Sequence, residues 1–494
     1  MGPHRSRSSR SHSGPAAVAG AVLAAALAGC VVGPDYRRPE VQAPATYLYP
    51  AGQDAALADT EWWKAFGDPA LDGLIAEALA NNRNIKIAAA NVEQAAGVLQ
   101  STRSAFYPQV GYQLNGGRNR FTSDGLTAQA AGISNPTNYY QALVGASWEI
   151  DLWGRVQRLS ESAQANVLAT EEARRGVILT LVANVANAYL QLRGLDEQLA
   201  MAQRTRDAYA ESLRLMQAKF QYGRVSQMNV DQATARLQTA ESQIPRIQRD
   251  IALLQDALAI LLARNPGAIP RGKSIFEITL PAVPAGVPSQ LLERRPDLAQ
   301  AEQQLIAANA QIGAAKAQYF PTISLTAALG SSSTDLSNLF KSATRNWNYA
   351  GLIAGPIFTG GAIAGQVAQA EAAQRAALQS YQLAIQSAFS DVDSALASRS
   401  TLIDQQAAQE KLVKALRSYS RIAQLQFDIG RVPYSTVLQA EQELFPAELD
   451  WAADRAQLAS SIVGIYKAMG GGWVAAADNL TGASAPGKPP QGHE

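Results

Sequence analysis

The sequence predicts a mainly α-helical fold with a small transmembrane β part, arranged as an internal two-fold repeat. Three observations lead to this prediction: a turn sequence that occurs twice, alternating segments of membrane-crossing length, and two very long helical segments without proline. Residues 220–225 (Phe-Gln-Tyr-Gly-Arg-Val) return as residues 427–432 (Phe-Asp-Ile-Gly-Arg-Val), 207 positions later. An internal repeat of this kind indicates that one structural unit is used twice.

Two further pairs of segments extend the repeat. Tyr107-Pro108 corresponds to Phe320-Pro321, and residues 151–154 correspond to residues 357–360. Each copy therefore predicts a helix, a strand pair, a very long helix, a tight turn and a return helix.

Alternating polarity predicts four β-strands. In residues 140–153, Tyr140, Val144 and Trp148 share one face with other apolar residues, whereas the opposite face is mostly polar. The same alternation occurs at 110–114, 323–329 and 347–357, and Gly/Ser/Asn/Thr-rich loops are predicted at 115–138 and 330–346. Strands of about ten residues cross a bilayer when tilted, and aromatic residues near strand ends are typical of interfacial girdles.

Four strands are too few to close a barrel, and open sheet edges are not tolerated in lipid. Three chains would supply twelve strands. The sequence therefore predicts a trimeric 12-stranded β-barrel with four strands per chain. The alternative is a water-soluble sheet with one wet face.

Two helical segments are too long for a globular core. They begin near Arg155 and near Ala362 and reach the repeated turn about 65 residues later, a length of about 100 Å. Apolar residues recur with a 3.5-residue period, most clearly in the return helices, where Pro245 and Pro446 are expected to form kinks or joints. Packed antiparallel hairpins would continue the β-barrel as a long α-helical coiled-coil barrel.

The composition excludes several classes of site. The formal net charge is +1, without the basic surplus of a nucleic-acid-binding protein. The three histidines are His4, His12 and His493, and Cys30 is the only cysteine. A Ser-His-Asp triad, a Cys-His pair or a histidine metal site would need residues that the body of the chain lacks. An all-carboxylate site is the alternative, although no spacing in the sequence indicates one, and we therefore expect no enzyme activity, no metal and no cofactor.

The N-terminus is expected to be an export signal. Three arginines within residues 1–15 precede an apolar run at 16–28, as in a secretory signal peptide. The run ends in Leu-Ala-Gly-Cys30, which resembles a bacterial lipobox, so cleavage before Cys30 and covalent lipidation of its side chain are expected. Val31 and Val32 follow in place of an aspartate, which favours the outer membrane. The alternative is an ordinary signal peptide with a chance cysteine.

The residues after Cys30 resemble a known family. Val-Gly-Pro-Asp-Tyr at 32–36, Trp62-Trp63 and Phe-Gly-Asp-Pro at 66–69 are similar to the opening of the outer membrane factors of bacterial efflux pumps. The resemblance reaches about residue 470 and is greatest to the NodT/OprM-type efflux lipoproteins of this TolC-like family. It implies a homotrimer that spans the outer membrane, extends into the periplasm and works with a periplasmic adaptor protein and an inner-membrane pump.

The predicted organisation has six segments. They are a lipoprotein signal peptide (1–29), a lipidated extended segment (30–75), repeat 1 (76–265), a proline-rich equatorial connector (266–296), repeat 2 (297–470) and a disordered tail (471–494).

The resemblance also assigns roles to the two repeated turns, because in this family the hairpin tips form the periplasmic mouth and meet the adaptor. The implied docking positions are Gly223, Arg224, Val225, Ser226, Gly430, Arg431, Val432 and Pro433. Acidic residues that follow the turns in TolC correspond to Asn229, Thr436 and Gln439 here, so its charged latch is not implied. The gate candidates are Asp231, Thr436 and Gln439, with Glu441 a further nearby carboxylate. Plain tight turns and solvated helix faces are the alternatives.

The predicted function is a passive, gated exit duct for small molecules or drugs that a pump and its adaptor hand over. The first alternative is the same duct serving type I protein secretion or metal efflux. A non-channel coiled-coil lipoprotein is the second, and an enzyme is the third. Substitutions around Asp231 or Thr436 that loosen the gate are expected to raise conductance.

Overall fold

The computed structural model describes residues 31–41, 44, 46–49, 61–120, 135–283, 288–470 and 473, with the side chains of residues 288–290 excepted. The predicted signal peptide, the lipidation site Cys30 and all of the predicted tail except residue 473 lie outside the described residues. Most of the predicted loop at 115–138 lies outside them as well.

The described residues form eight α-helices and four β-strands. The elements are α1 (Pro69–Asn81), α2 (Arg83–Ser104), β1 (Gln109–Asn119), β2 (Thr137–Ile150), α3 (Arg155–Gln221), α4 (Gln227–Leu261), α5 (Pro288–Arg294), α6 (Pro296–Ala317), β3 (Thr322–Ser333), β4 (Arg345–Ala354), α7 (Ala362–Asp428) and α8 (Tyr434–Ala468). In each half, a helix of 22 residues precedes the strand pair, and helices of 67 and 35 residues follow it.

These elements divide between two compact units. The strand unit comprises the described residues within 31–39, 94–168 and 303–379 and contains all four described strands. The helical unit comprises the described residues within 40–93, 169–302 and 380–473. Both α3 and α7 therefore contribute their first turns to the strand unit and their remaining turns to the helical unit.

The sheet of the strand unit is antiparallel throughout, with the strand order β1-β2-β3-β4. Gln109 pairs with Ser147, Trp148 with Leu325, and Leu329 with Trp347. Every residue of β4 is exposed. Within the described part of the chain, the outer edges of β1 and β4 have no partner strand.

The strand boundaries differ from those predicted. β2 ends at Ile150 because the chain turns at Gly154, where φ is +75°, so Trp153 lies beyond the strand. β4 ends at Ala354 and excludes Ile357, since Pro356 has no N–H group for a sheet ladder. The predicted loops are also shorter than expected, because β1 continues to Asn119 and β3 to Ser333.

The long helices begin where the sequence predicts, at Arg155 and Ala362, and each has 67 residues. At 1.5 Å per residue each is about 100 Å long. The expectation that Pro245 and Pro446 interrupt the return helices as joints is wrong, because α4 and α8 continue as helices through both prolines. A proline removes one helical hydrogen bond, and the neighbouring turns still form here. Within the described residues, no helix is both long and apolar enough to traverse a bilayer.

The main apolar core lies in the helical unit. Apolar residues of α3 recur every three or four positions between Ile178 and Leu192 and are almost fully buried. They pack with residues of α1 such as Ile75. Trp62 joins the same core, and its ring stacks on Tyr466 with centroids 5.1 Å apart. An apolar stripe of this spacing is buried on one face of its helix, and here it serves as the central packing surface of the unit.

A buried carboxylate ties three segments of the helical unit together. Asp68 is fully buried and accepts hydrogen bonds from Ala70 N (2.9 Å), Tyr189 Oη (2.7 Å) and Lys273 N (3.1 Å). The first bond caps the N-terminus of α1. Gly272 N donates to Tyr189 Oη (3.0 Å), so the predicted connector is fixed to α1 and α3 by the same group. Burial raises the pKa of the Tyr189 hydroxyl, which keeps it a donor.

We expect Asp68→Ala to destabilise the protein by about 3 kcal/mol, because it leaves the buried Tyr189 hydroxyl and Lys273 N–H without an acceptor. The change should appear as a lower midpoint of thermal unfolding, followed by far-UV circular dichroism of detergent-extracted protein. Asp256→Ala is the matched control, since Asp256 is exposed on α4. Equal midpoints for the two variants would show that the Asp68 network contributes no stability.

Candidate functional site

The two repeated turns have the same backbone geometry. In the first, Gly223 has a φ of +69°, Gly223 N donates to Phe220 O (2.8 Å) and Arg224 N donates to Lys219 O (2.8 Å). Glycine adopts this left-handed conformation without the penalty that a Cβ atom imposes. The two bonds form a Schellman motif, which ends α3.

The second turn repeats the first with glycine at the same place. Gly430 has a φ of +74°, Gly430 N donates to Phe427 O (2.9 Å) and Arg431 N donates to Gln426 O (2.8 Å). The six-residue motif found twice in the sequence is therefore one turn structure used at the ends of both long helices.

The predicted docking positions are open to solvent. Gly223, Arg224, Ser226, Gly430, Arg431 and Pro433 are exposed, and Val225 and Val432 are half-buried. Within the described residues, neither Arg224 nor Arg431 pairs its guanidinium group with an acceptor. Ser226 donates its N–H (3.3 Å) and its hydroxyl (2.8 Å) to Asn229 Oδ1, which orders the start of α4. The turns thus present two exposed cations on rigid backbones.

Among the described residues, the hydrogen bonds of the gate candidates are all local in sequence. Asp231 is exposed and accepts from Gln227 Nε2 (2.8 Å), and Gln439 is exposed and lies 3.4 Å from Glu443 Oε1. Thr436 is half-buried, and its N–H donates to Pro433 O (3.0 Å). Among the described residues, these side chains do not meet one another, and their role in a gate stays a prediction.

Other residues join the first hairpin (α3 and α4) to the second (α7 and α8). Arg236 Nη2 donates to Leu438 O (2.8 Å) and to Gln442 Oε1 (3.1 Å). Ser212 Oγ and Tyr434 Oη lie 3.1 Å apart. The sequence alone did not single out these links, because a bond to a main-chain carbonyl leaves no pattern in the partner sequence.

Apolar packing supports the same interface between the hairpins. Met216 of α3 and Val230 and Ala233 of α4 form a buried cluster with Val437 and Ala440 of α8. These five positions belong to the predicted heptad stripes, and their burial confirms that part of the prediction. The structure adds which helix each stripe packs against, which the sequence pattern does not predict.

The segment that follows Cys30 is bound to the strand unit largely through its main chain. Val32 N donates to Trp153 O (3.1 Å), and Asn309 Nδ2 donates to Pro34 O (2.9 Å). Arg158 forms an ion pair with Asp35 at 2.7 Å. A Cβ atom on Gly33 would lie 2.4 Å from the Cα atom of Gly313, so only glycine fits at position 33. The Val-Gly-Pro-Asp sequence at 32–35 therefore attaches the N-terminal segment to the strand unit through specific contacts.

The described residues offer no obvious reaction centre. No group of three or more His, Cys, Asp or Glu side chains in the described part of the chain is arranged to hold a metal ion. What the structure presents instead is a pair of similar exposed turns, a polar interface between two hairpins and an anchored N-terminal segment.

Comparisons with known proteins agree with this architecture. The outer membrane efflux protein family matches residues 74–264 and 287–471. The solvent efflux pump outer membrane protein SrpC of Pseudomonas putida is 38% identical over 457 residues, which cover 90% of this chain and 96% of the relative. The cation efflux system protein CusC of Escherichia coli is 35% identical over 462 residues, covering 91% and 97%.

Solved structures give the same result. A crystal structure of CusC matches with a TM-score of 0.80 and 32% identity, covering 90% of this chain and 100% of that one. The open state of the Neisseria gonorrhoeae MtrE outer membrane channel matches with a TM-score of 0.81 and 32% identity, covering 90% and 99%. The family match spans both halves, and relatives above 30% identity cover nine tenths of the chain. The chain therefore belongs to the outer membrane efflux protein family and is located in the outer membrane.

Proposed function

We propose that this chain is a trimeric, lipid-anchored channel that forms the passive exit duct of a tripartite efflux system. The observation that carries the proposal is the four-stranded sheet with two open edges. Unpaired backbone groups are costly in hydrocarbon, so a sheet that crosses the membrane must be closed. Three copies, each joining its β4 to the β1 of the next, supply a 12-stranded barrel without edges.

The helices supply the rest of the duct. Helices of about 100 Å exceed what one compact core needs, and they are suited to form a coiled-coil barrel in the periplasm. Each hairpin consists of one helix of 67 residues and one of 35 residues, and this agreement supports the internal two-fold repeat. Six similar hairpins in a trimer would form a nearly regular tube.

The partners are a periplasmic adaptor protein and an inner-membrane pump. The adaptor docks at residues 223–226 and 430–433, where exposed Arg224 and Arg431 stand on rigid turns. The pump supplies the energy, and the channel performs no enzyme chemistry. Contact with the adaptor releases a gate near the hairpin tips.

The cargo is a small molecule such as a solvent or drug. SrpC is named for solvent efflux, and 38% identity over most of both chains supports a related role here. Metal-ion export is the second candidate, because the cation efflux protein CusC is 35% identical over a similar length.

Native mass spectrometry and planar-bilayer recordings test the channel together. We expect a particle of three chains that inserts with a low conductance, since no adaptor is present to open the tips. A monomer, or a trimer that never conducts under any applied voltage or with any variant, would contradict the proposal. A large conductance of the wild type would contradict the closed gate.

We expect Arg236→Ala to raise the open probability about tenfold. It removes charge-assisted hydrogen bonds between the hairpins, and losing about 1.4 kcal/mol of closed-state stabilisation changes an equilibrium tenfold. Single-channel recording in planar bilayers measures the change.

Arg246→Ala is the matched control, because Arg246 is exposed on the same helix. Asp231→Asn and Thr436→Ala in the same assay test the predicted gate candidates. If these two variants open the channel and Arg236→Ala does not, the gate lies at the tips and not at the hairpin interface.

Lipidation is tested by Cys30→Ser. We expect metabolic labelling with radioactive palmitate to mark the wild type and not the variant, because Cys30 is the only thiol in the chain. Persistent labelling of the variant would exclude Cys30 as the lipid attachment site. Asp35→Asn is the control, since it changes the same segment and leaves the thiol in place.

A further inference from the structure

The helical unit contains a cavity to which no role has been given. It has a volume of about 480 Å³ and lies between α4 and α8, with Tyr209 of α3 also on its wall. Its position is more than two helical turns away from either hairpin tip along α4 and α8. Cavities of several hundred Å³ are large enough for a small organic ligand.

One wall of the cavity is apolar and rigid. The rings of Tyr209 and Phe445 are each 6% exposed and pack edge to face, with centroids 6.4 Å apart. Pro446 and Leu449 continue this wall along α8. Such a surface suits an aromatic or aliphatic group, and the Tyr209 ring also attracts a cation placed over its face.

Glu441 and Gln442 of α8 add polar groups to the cavity lining. Glu441 is half-buried, and among the described residues no donor lies within hydrogen-bond distance of its carboxylate. The Tyr209 hydroxyl donates to the Glu441 main-chain oxygen (3.3 Å), not to the carboxylate. Pro446 has no N–H group, so it cannot engage the main-chain carbonyl of Gln442 one turn earlier.

The positive charge that acts on Glu441 is Arg236, and its Nη2 group is already hydrogen-bonded to other residues. Arg236 gives its Nη2 group to Leu438 O and Gln442 Oε1, both neutral acceptors. The Glu441 carboxylate is therefore left available next to an apolar wall. A half-buried carboxylate without a donor loses part of its hydration, and a ligand that brings a positive donor would offset that loss.

We propose that this cavity binds a protonated amine with an apolar body, the ammonium group lying on Glu441 and the body against Tyr209 and Phe445. The amine contacts Tyr209 of α3 in the first hairpin and Glu441 and Phe445 of α8 in the second, and it thereby holds the two hairpins together. The site is independent of the channel proposal, since binding needs only the fold of the helical unit.

The pH dependence follows from the surroundings of Glu441. The charged or titratable groups that interact with it are Tyr209 from α3, Arg236 from α4 and Tyr434 from α8, and Asp450 of α8 lines the same cavity. Burial raises the pKa of Glu441 to about 7, and Arg236 opposes that shift. An aliphatic amine stays protonated well above this range. Affinity for the amine therefore rises between pH 6 and pH 8, as Glu441 loses its proton.

Isothermal titration of the detergent-extracted full chain with phenethylamine tests the site. We expect saturable binding at pH 8 that weakens at pH 6 and weakens about tenfold or more in Glu441→Gln. Glu443→Gln is the matched control, because Glu443 is exposed on the same helix, and its affinity should equal that of the wild type. The neutral analogue 2-phenylethanol should bind far more weakly than the amine.

A second variant separates loss of the site from loss of the fold. Ala235→Phe places a bulky ring in the cavity from its exposed rim and leaves Glu441 unchanged. We expect it to abolish binding while its circular dichroism spectrum and assembly state match those of the wild type. Absence of saturable binding to the wild type, equal binding to Glu441→Gln, or equal binding of the alcohol would each overturn the proposal.

Discussion

The unpaired backbone groups along β1 and β4 are the constraint on which the rest of the structure depends. Within the described sheet, each outer strand has hydrogen-bonding groups on one side that no strand of the same chain reaches. In water such an edge is an aggregation hazard, and in lipid it is not tolerated. Because every residue of β4 is exposed, its unpaired backbone groups form a long unprotected edge. Association of copies in the proposed trimer removes that cost. The stability of the strand unit and the assembly of the trimer therefore depend on each other.

The helical unit meets a different physical requirement. A helix of 67 residues cannot be buried in one compact core, so its stability must come from a long series of local contacts with neighbouring helices. The central core around Ile178 and Tyr466 is dense and apolar, whereas the interface nearer the turns mixes small clusters with polar links such as Arg236 to Leu438 O. Dense apolar packing is thus concentrated away from the tips. An interface held by a few polar links is better suited to two arrangements than a continuous apolar core is.

Sequence reasoning succeeded where the signal is local and periodic. The starts of α3 and α7 at Arg155 and Ala362, and the two glycine turns, follow from the absence of proline and from the need for a positive φ angle. The sequence does not mark the strand ends, because the alternation runs on to Trp153 and Ile357 although the strands end at Ile150 and Ala354.

Long-range contacts could not be predicted from the sequence. The bonds from Tyr189 to Asp68 and from Arg236 to Leu438 O join residues 121 and 202 positions apart, and the Leu438 acceptor is a main-chain carbonyl, which leaves no pattern in the sequence. The family resemblance predicted the family of the chain, and the family match confirms it. The cavity beside Glu441 has no sequence signal, because it depends on how Pro446 of α8 lies beside Ala235 of α4.

The Schellman bonds at Gly223 and Gly430 have a consequence for how binding specificity can change over time. These bonds engage the main-chain N–H groups of the glycine and of the next residue inside each turn, so an incoming protein finds few free main-chain donors there. At the proposed docking surface, specificity for a partner would then come from side chains, chiefly those of residues 224 and 431 and their neighbours. During evolution, a few substitutions of exposed side chains could therefore change which partner such a surface binds, while the backbone geometry of the turns stays the same.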